Sequence, residues 1–102
     1  MDWTRVCAAA DVPGDGMKQF ETTDGDAVLL LKAGAQYFAC QAVCPHLDTP
    51  LEEGMFDGTT LTCHQHLWQW DIESGEPRGL AELPLACFDV KTENGTLYVR
   101  PR

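Results

Sequence analysis

The sequence predicts an all-β domain, an antiparallel sandwich or partial barrel. Eight short segments have strand length and β-branched or aromatic content, four X-Gly turn dipeptides punctuate them, and no stretch holds a helical period of useful length. At 102 residues and 44% hydrophobic, the chain can build one domain with one modest core. Residues 1–102 are therefore read as a single domain, with no room for a second catalytic one.

Trp3 to Cys7 opens the series. Lys18 to Glu21 follows, and Asp24-Gly25 turns the chain toward Val28 to Lys32. The most hydrophobic run, Ala27 to Leu31, meets Lys32 at once and is far too short to cross a bilayer. Gln36 to Cys40 completes the first half. Asp57-Gly58 precedes Thr59 to Thr62, and Leu67 to Asp71 runs up to Ser74-Gly75. Cys87 to Lys91 and Thr96 to Arg100 flank Asn94-Gly95, the clearest hairpin signal, with Phe88, Val90, Leu97 and Val99 alternating around it. Helical turns are expected only after Asp48 and around Ala81.

Chemistry concentrates in two strings, Cys44-Pro45-His46 and Cys63-His64-Gln65-His66, separated by the sixteen residues Leu47 to Thr62. Together they offer two thiolates and two imidazoles at loop spacing, which points to a metal site. A Cys₂His₂ zinc centre is one reading, but zinc motifs usually pair like with like, C-x₂₋₄-C then H-x₃₋₅-H. Here each string supplies one ligand of each kind, which suits a binuclear centre with two chemically different ends. In extended chain adjacent side chains point to opposite sides, so His64, directly after Cys63, should face away from the metal that Cys63 binds. His64 is read as a solvated neighbour. Pro45 fixes its own φ and biases Cys44 toward extended geometry, pre-shaping the first loop.

The pattern C-x-H, sixteen residues, C-x-x-H resembles that of Rieske [2Fe-2S] proteins, in which two cysteines hold one iron and two histidines the other. The resemblance implies one [2Fe-2S] cluster, with Cys44 and Cys63 on the inner iron and His46 and His66 on the outer. With neutral imidazoles the oxidised core of two ferric ions, two sulfides and two thiolates is uncharged, whereas four thiolates would make it two units more negative. An electron is therefore accepted more easily, which places such centres between about −150 and +300 mV. High-potential members of the family carry a disulfide between the ligand loops and hydroxyl donors after the second histidine. The matching positions here are Thr49, Gln65, Trp68 and Trp70, so the low end, about −150 mV, is expected.

The likeness extends to Gly54 and Gly58 between the loops, to the strand Thr59 to Cys63, and to the run from Leu83-Pro84-Leu85 to Val99. It implies a Rieske-type antiparallel β sandwich or partial barrel with a cluster-binding subdomain at roughly residues 43–80. Val43-Cys44-Pro45-His46 and Cys63-His64-Gln65-His66-Leu67-Trp68 look most like the ferredoxins of bacterial multicomponent toluene and related aromatic or alkene monooxygenases. That implies a one-electron carrier between an NADH-dependent flavin/iron-sulfur reductase and a diiron hydroxylase. The ferredoxin of a ring-hydroxylating dioxygenase is the near alternative, and a small Rieske subunit of another oxidoreductase a more distant one. Family proteins also cover the cluster with a proline-containing loop, for which Glu76-Pro77-Arg78-Gly79 is the candidate. Pro45, Trp68 and Pro77 are thus candidates for the docking surface or for supporting the ligands from behind, with Trp68 and Trp70 alternatively in the core.

Charge sets the partners. The chain has a net charge of −9, and between Cys44 and Pro84 lie eight carboxylates (Asp48, Glu52, Glu53, Asp57, Asp71, Glu73, Glu76 and Glu82) against the single base Arg78. Nucleic acid and anionic membranes would repel this half, whereas basic protein surfaces would attract it. No histidine follows His66 and no Ser/His/Asp set is present, so catalysis by the chain itself is not expected. Cys7, Cys40 and Cys87 read as small buried hydrophobes in a reducing compartment. The start, Met1-Asp2-Trp3-Thr4, lacks a basic region followed by an apolar run, so a cytoplasmic, monomeric protein is the expectation.

Overall fold

The computed structural model describes residues 3–45, 49–65 and 67–102, which form two antiparallel sheets. The chain starts with β1 (Thr4–Ala8), β2 (Met17–Glu21), β3 (Ala27–Ala33) and β4 (Gln36–Gln41). It then builds a small sheet from β5 (Met55–Phe56), β6 (Thr60–Thr62), β7 (Gln69–Asp71) and β8 (Pro77–Arg78), and returns as β9 (Cys87–Glu93) and β10 (Thr96–Pro101). The larger sheet runs β1-β10-β9-β4-β3-β2, the smaller β5-β6-β7-β8. The Thr23 N–H donates to the Arg5 carbonyl at 3.2 Å, drawing the two outer edges of the larger sheet together into a nearly closed barrel.

Turn chemistry sets the registers. Asn94 (φ 52°) and Gly95 (φ 77°) both adopt left-handed backbone, the type I′ geometry whose twist matches a tight hairpin, and Glu93 accordingly pairs with Thr96. The unbroken apolar run in β3 has a simple cause. Val28 and Leu30 point into the barrel with Leu97 and Val99, while Leu29 and Leu31 point out into a second core shared with the small sheet. A strand buried on both faces shows no polar alternation.

Each of the eight expected segments overlaps an observed strand, with ends that differ by up to two residues. Two more, β5 and β8, are two residues long and leave no periodic trace in the sequence. Single 3₁₀ turns occupy Ala9–Asp11 and Leu51–Glu53, the latter close to where a helical turn was expected after Asp48. β7 begins at Gln69 rather than Leu67 because the two residues before it close a loop.

Candidate metal centre

Two loops of the same construction root the candidate cysteine ligands in one core. The Cys44 N–H donates to the Thr49 carbonyl at 2.9 Å, and the Cys63 N–H donates to the Trp68 carbonyl at 2.8 Å. Each cysteine is thus tied to the residue five positions later, and each closed loop encloses one candidate histidine. The first loop is reinforced by the Val43–Pro50 bridge and by the Leu51 N–H on the Ala42 carbonyl at 2.9 Å. The second is tightened by the Leu67 N–H on the Cys63 carbonyl at 3.0 Å, which drives Leu67 to φ 57°. A branched side chain on left-handed backbone is uncommon and marks a conformation that the surrounding bonds impose.

Cys44 and Cys63 are 2% and 0% exposed and belong to one core with Leu51, Leu61, Trp68, Trp70, Ile72 and Leu85. The sequence kept them nineteen positions apart, and the sheet brings them together. Two buried sulfurs in an apolar wall, each at the root of a short surface loop, suit a thiolate-ligated iron whose partner metal faces outward. His46 and His66 lie outside the described residues, so the imidazole half of the expected ligand set is not located; among the described residues no group of three or more His, Cys, Asp or Glu side chains gathers as a metal site. His64 and Gln65 are exposed.

The aromatic pair lies beneath the loops. Trp70 is fully buried, its indole N–H donating to the Leu83 carbonyl at 2.9 Å, and Trp68 meets it edge-on with ring centroids 6.2 Å apart. Trp68 is only 6% exposed, so the docking position weighed for it does not hold: closing the loop through its carbonyl turns its side chain inward. The exposed apolar side chain here is its neighbour Leu67, at 57%. Pro77 also departs from expectation. It lies in the edge strand β8, opposite Trp70, where a missing N–H costs no ladder bond. A loop follows it, at residues 79–84, and includes Pro84; Ala81 packs against the cysteine-bearing core, and Leu80 is 70% exposed. Pro45 is half-buried.

Gly54 lets the small sheet close. A Cβ there would run into the Thr62 carbonyl, one residue before Cys63, so only glycine allows β5 to approach β6 this tightly. Asp57 starts β6: its Oδ1 accepts the backbone N–H groups of Thr60 at 2.7 Å and Thr59 at 2.9 Å. These bonds, that to Thr60 foremost, hold its carboxyl below the usual value.

The profile of the Rieske [2Fe-2S] domain family matches residues 2–89. The chain belongs to this family. Its cofactor is accordingly one Rieske [2Fe-2S] cluster, consistent with the buried Cys44 and Cys63. Over 98 residues the chain is 38% identical to the methanesulfonate monooxygenase ferredoxin subunit of Methylosulfonomonas methylovora, covering 95% of this chain and 79% of that one. It is 30% identical to the ferredoxin component of the alkene monooxygenase system of Xanthobacter autotrophicus, covering 97% and 81%. Among solved structures it superposes with a TM-score of 0.84 and 28% identity on a chain of the complex of reduced oxygenase and oxidized ferredoxin in carbazole 1,9a-dioxygenase, over 95% of this Rieske chain and 91% of that one.

Proposed function

We propose that this Rieske protein is the ferredoxin component of a bacterial multicomponent oxygenase system, a one-electron carrier with no substrate of its own. The observation that carries this is the pair of equal loops rooted at buried Cys44 and Cys63, in a chain that matches ferredoxin components over nearly its whole length. In this reading Cys44 and Cys63 hold the inner iron, His46 and His66 hold the outer, and residues 43–80 work as the cluster-binding unit. When bound, the cluster takes up and returns one electron. The protein supplies the rest. Trp68, Trp70, Leu51 and Leu61 keep water from the sulfur side, so exchange is confined to the loop end.

That end is also the docking surface. Leu67 lies in the second loop and Leu80 just beyond β8, both exposed, and Glu52, Glu53, Glu76 and Glu82, exposed as well, belong to the same part of the chain. Exposed apolar side chains together with surface charge of one sign suit brief, oriented contact. The partners are an NADH-dependent flavin/iron-sulfur reductase and the hydroxylase of the oxygenase, and the setting is the cytoplasm. The finer reading is a diiron hydroxylase of a toluene-type aromatic or alkene monooxygenase, supported by the alkene monooxygenase relative. The likeness to the carbazole dioxygenase complex favours a second reading, delivery to a ring-hydroxylating dioxygenase.

The test is reconstitution. Purified protein should be reddish-brown, contain iron and acid-labile sulfide in equal amounts, and show nitrogen coupling to the paramagnetic centre when reduced. Mixed with reductase, NADH and either a diiron hydroxylase or a dioxygenase, it should support product formation with one of them. Zinc alone on elemental analysis, or a coloured protein that no reductase reduces, overturns the proposal.

A further inference from the structure

Cys40 in β4 and Cys87 in β9 stand directly opposite each other in the ladder that joins these strands. One step along, the Gln41 N–H donates to the Ala86 carbonyl at 2.8 Å. Bonded and non-bonded positions alternate in an antiparallel ladder, so Cys40 and Cys87 form a non-hydrogen-bonded pair. Such pairs hold their Cα atoms about 4.5 Å apart with both side chains on one face, inside the span of about 4.4 to 6.8 Å that a disulfide bridges. Both side chains face the core that contains Cys44 and Cys63. Cys40 is fully buried there, and Cys87 packs against it from a half-buried position with its thiol donating to the Ile72 carbonyl at 3.6 Å. Both are free thiols, and the cluster motif uses neither.

We propose that Cys40 and Cys87 are a site of reversible oxidation, a cross-strand dithiol that hydrogen peroxide converts to a disulfide linking β4 to β9. The stretch between the two sulfurs, residues 41–86, contains both ligand loops and the entire small sheet. The bond therefore closes a covalent ring around the cluster-binding part of the chain. Cross-linking removes conformations open to the unfolded segment, so the ring opposes the local unfolding through which a cluster is lost.

The step balances. The Cys87 thiolate, the more accessible of the two, attacks one peroxide oxygen, breaking the O–O bond to give a sulfenic acid and hydroxide. The Cys40 thiolate then attacks the Cys87 sulfur, forming the S–S bond and expelling a second hydroxide. The two thiol protons convert both hydroxides to water, the sulfurs lose two electrons, and the peroxide gains them. Burial keeps both thiols above their usual pKa, and at Cys87 the positive Arg102 works against this while Asp71 adds to it. Thiolate is scarce, so the reaction is slow, as suits a response to sustained oxidant.

The experiment treats the cluster-loaded full chain with hydrogen peroxide in slight excess, denatures it, blocks remaining thiols and digests with trypsin. Cleavage at Lys32, Arg78 and Lys91 yields fragments 33–78 and 79–91. The expected product is these two fragments joined with the loss of two hydrogens, formed while the visible absorption persists and separated again by dithiothreitol. Fragmentation places the link at Cys40 rather than Cys44 or Cys63, and the link is missing from Cys40→Ala and from Cys87→Ser. The oxidised protein should then bleach about fivefold more slowly than the reduced protein on mild heating. Conversion of Cys87 to its sulfinic acid with Cys40 untouched, a link that appears only after the colour is gone, or equal bleaching rates overturn the proposal. None of these outcomes depends on which oxygenase the ferredoxin serves.

Discussion

Two histidines two positions apart have opposite expected roles, and that contrast is the sharpest test at the scale of single residues. His64 directly follows a buried cysteine and is exposed, whereas His66 has the spacing a turn requires. His64→Ala should leave iron content and visible absorption unchanged, while His66→Ala and Cys63→Ser should abolish them; colour lost with His64 would reassign the ligand. Asp57 offers a pH test. Its folded-state pKa lies below the ordinary carboxylate value of about 3.9, because bonds from Thr60 and Thr59 favour the charged form. Its contribution to stability is therefore full above that value and is lost as pH falls through the folded one. Asp57→Ala should lower the thermal midpoint at neutral pH, with the gap between parent and variant narrowing below about pH 4. A gap that widens in acid would contradict the bonding described.

The small sheet is the element whose integrity decides whether the two loops meet. Its strands are two or three residues long, too short to be stable alone, so they depend on close backbone packing and on the core beneath them. Gly54 is the tightest point. Gly54→Ala forces the Thr62 carbonyl away and shifts Cys63 with it, a change expected to cost about 1–3 kcal/mol by denaturant titration and to lower iron occupancy. Gly14, by contrast, has open space around it, and Gly14→Ala should change neither reading. The indole of Trp70, bonded to the Leu83 carbonyl, attaches the loop at 79–84 to the same sheet.

Over the whole molecule, charge is unevenly distributed. Of the seven bases, Arg5, Lys91, Arg100 and Arg102 lie on or beside β1, β9 and β10, where Lys91 and Arg100 also cover the Trp3 ring at 5.1 and 4.4 Å. The part that holds the loops, residues 44–84, sets eight carboxylates against Arg78 alone, whereas the rest of the chain sets eight against the other six bases. A strongly acidic loop-bearing part beside a nearly balanced remainder orients the ferredoxin as it approaches a basic partner, an effect on association rate that salt screens over about 10 Å at 0.1 M. The rate of reduction by the reductase at limiting ferredoxin should fall several-fold between about 20 and 200 mM salt. A rate indifferent to ionic strength would remove steering from the account.

Much of this was readable from residues alone. Strand-length apolar segments, the Asn94-Gly95 turn and the paired C-x-H and C-x-x-H strings are local patterns, and local patterns depend on backbone sterics and ligand chemistry that neighbouring residues suffice to express. β5 and β8 were missed because two-residue strands have no period, and Pro77 was misplaced because a proline reads alike in a loop and on a sheet edge. Trp68 could point either way until the bond from Cys63 to its carbonyl turned it inward. The meeting of Cys44 with Cys63, the position of Cys40 opposite Cys87 and the split of β3 between two cores all depend on strand register. Register is a property of distant segments packed together, so it was decided only when the chain folded.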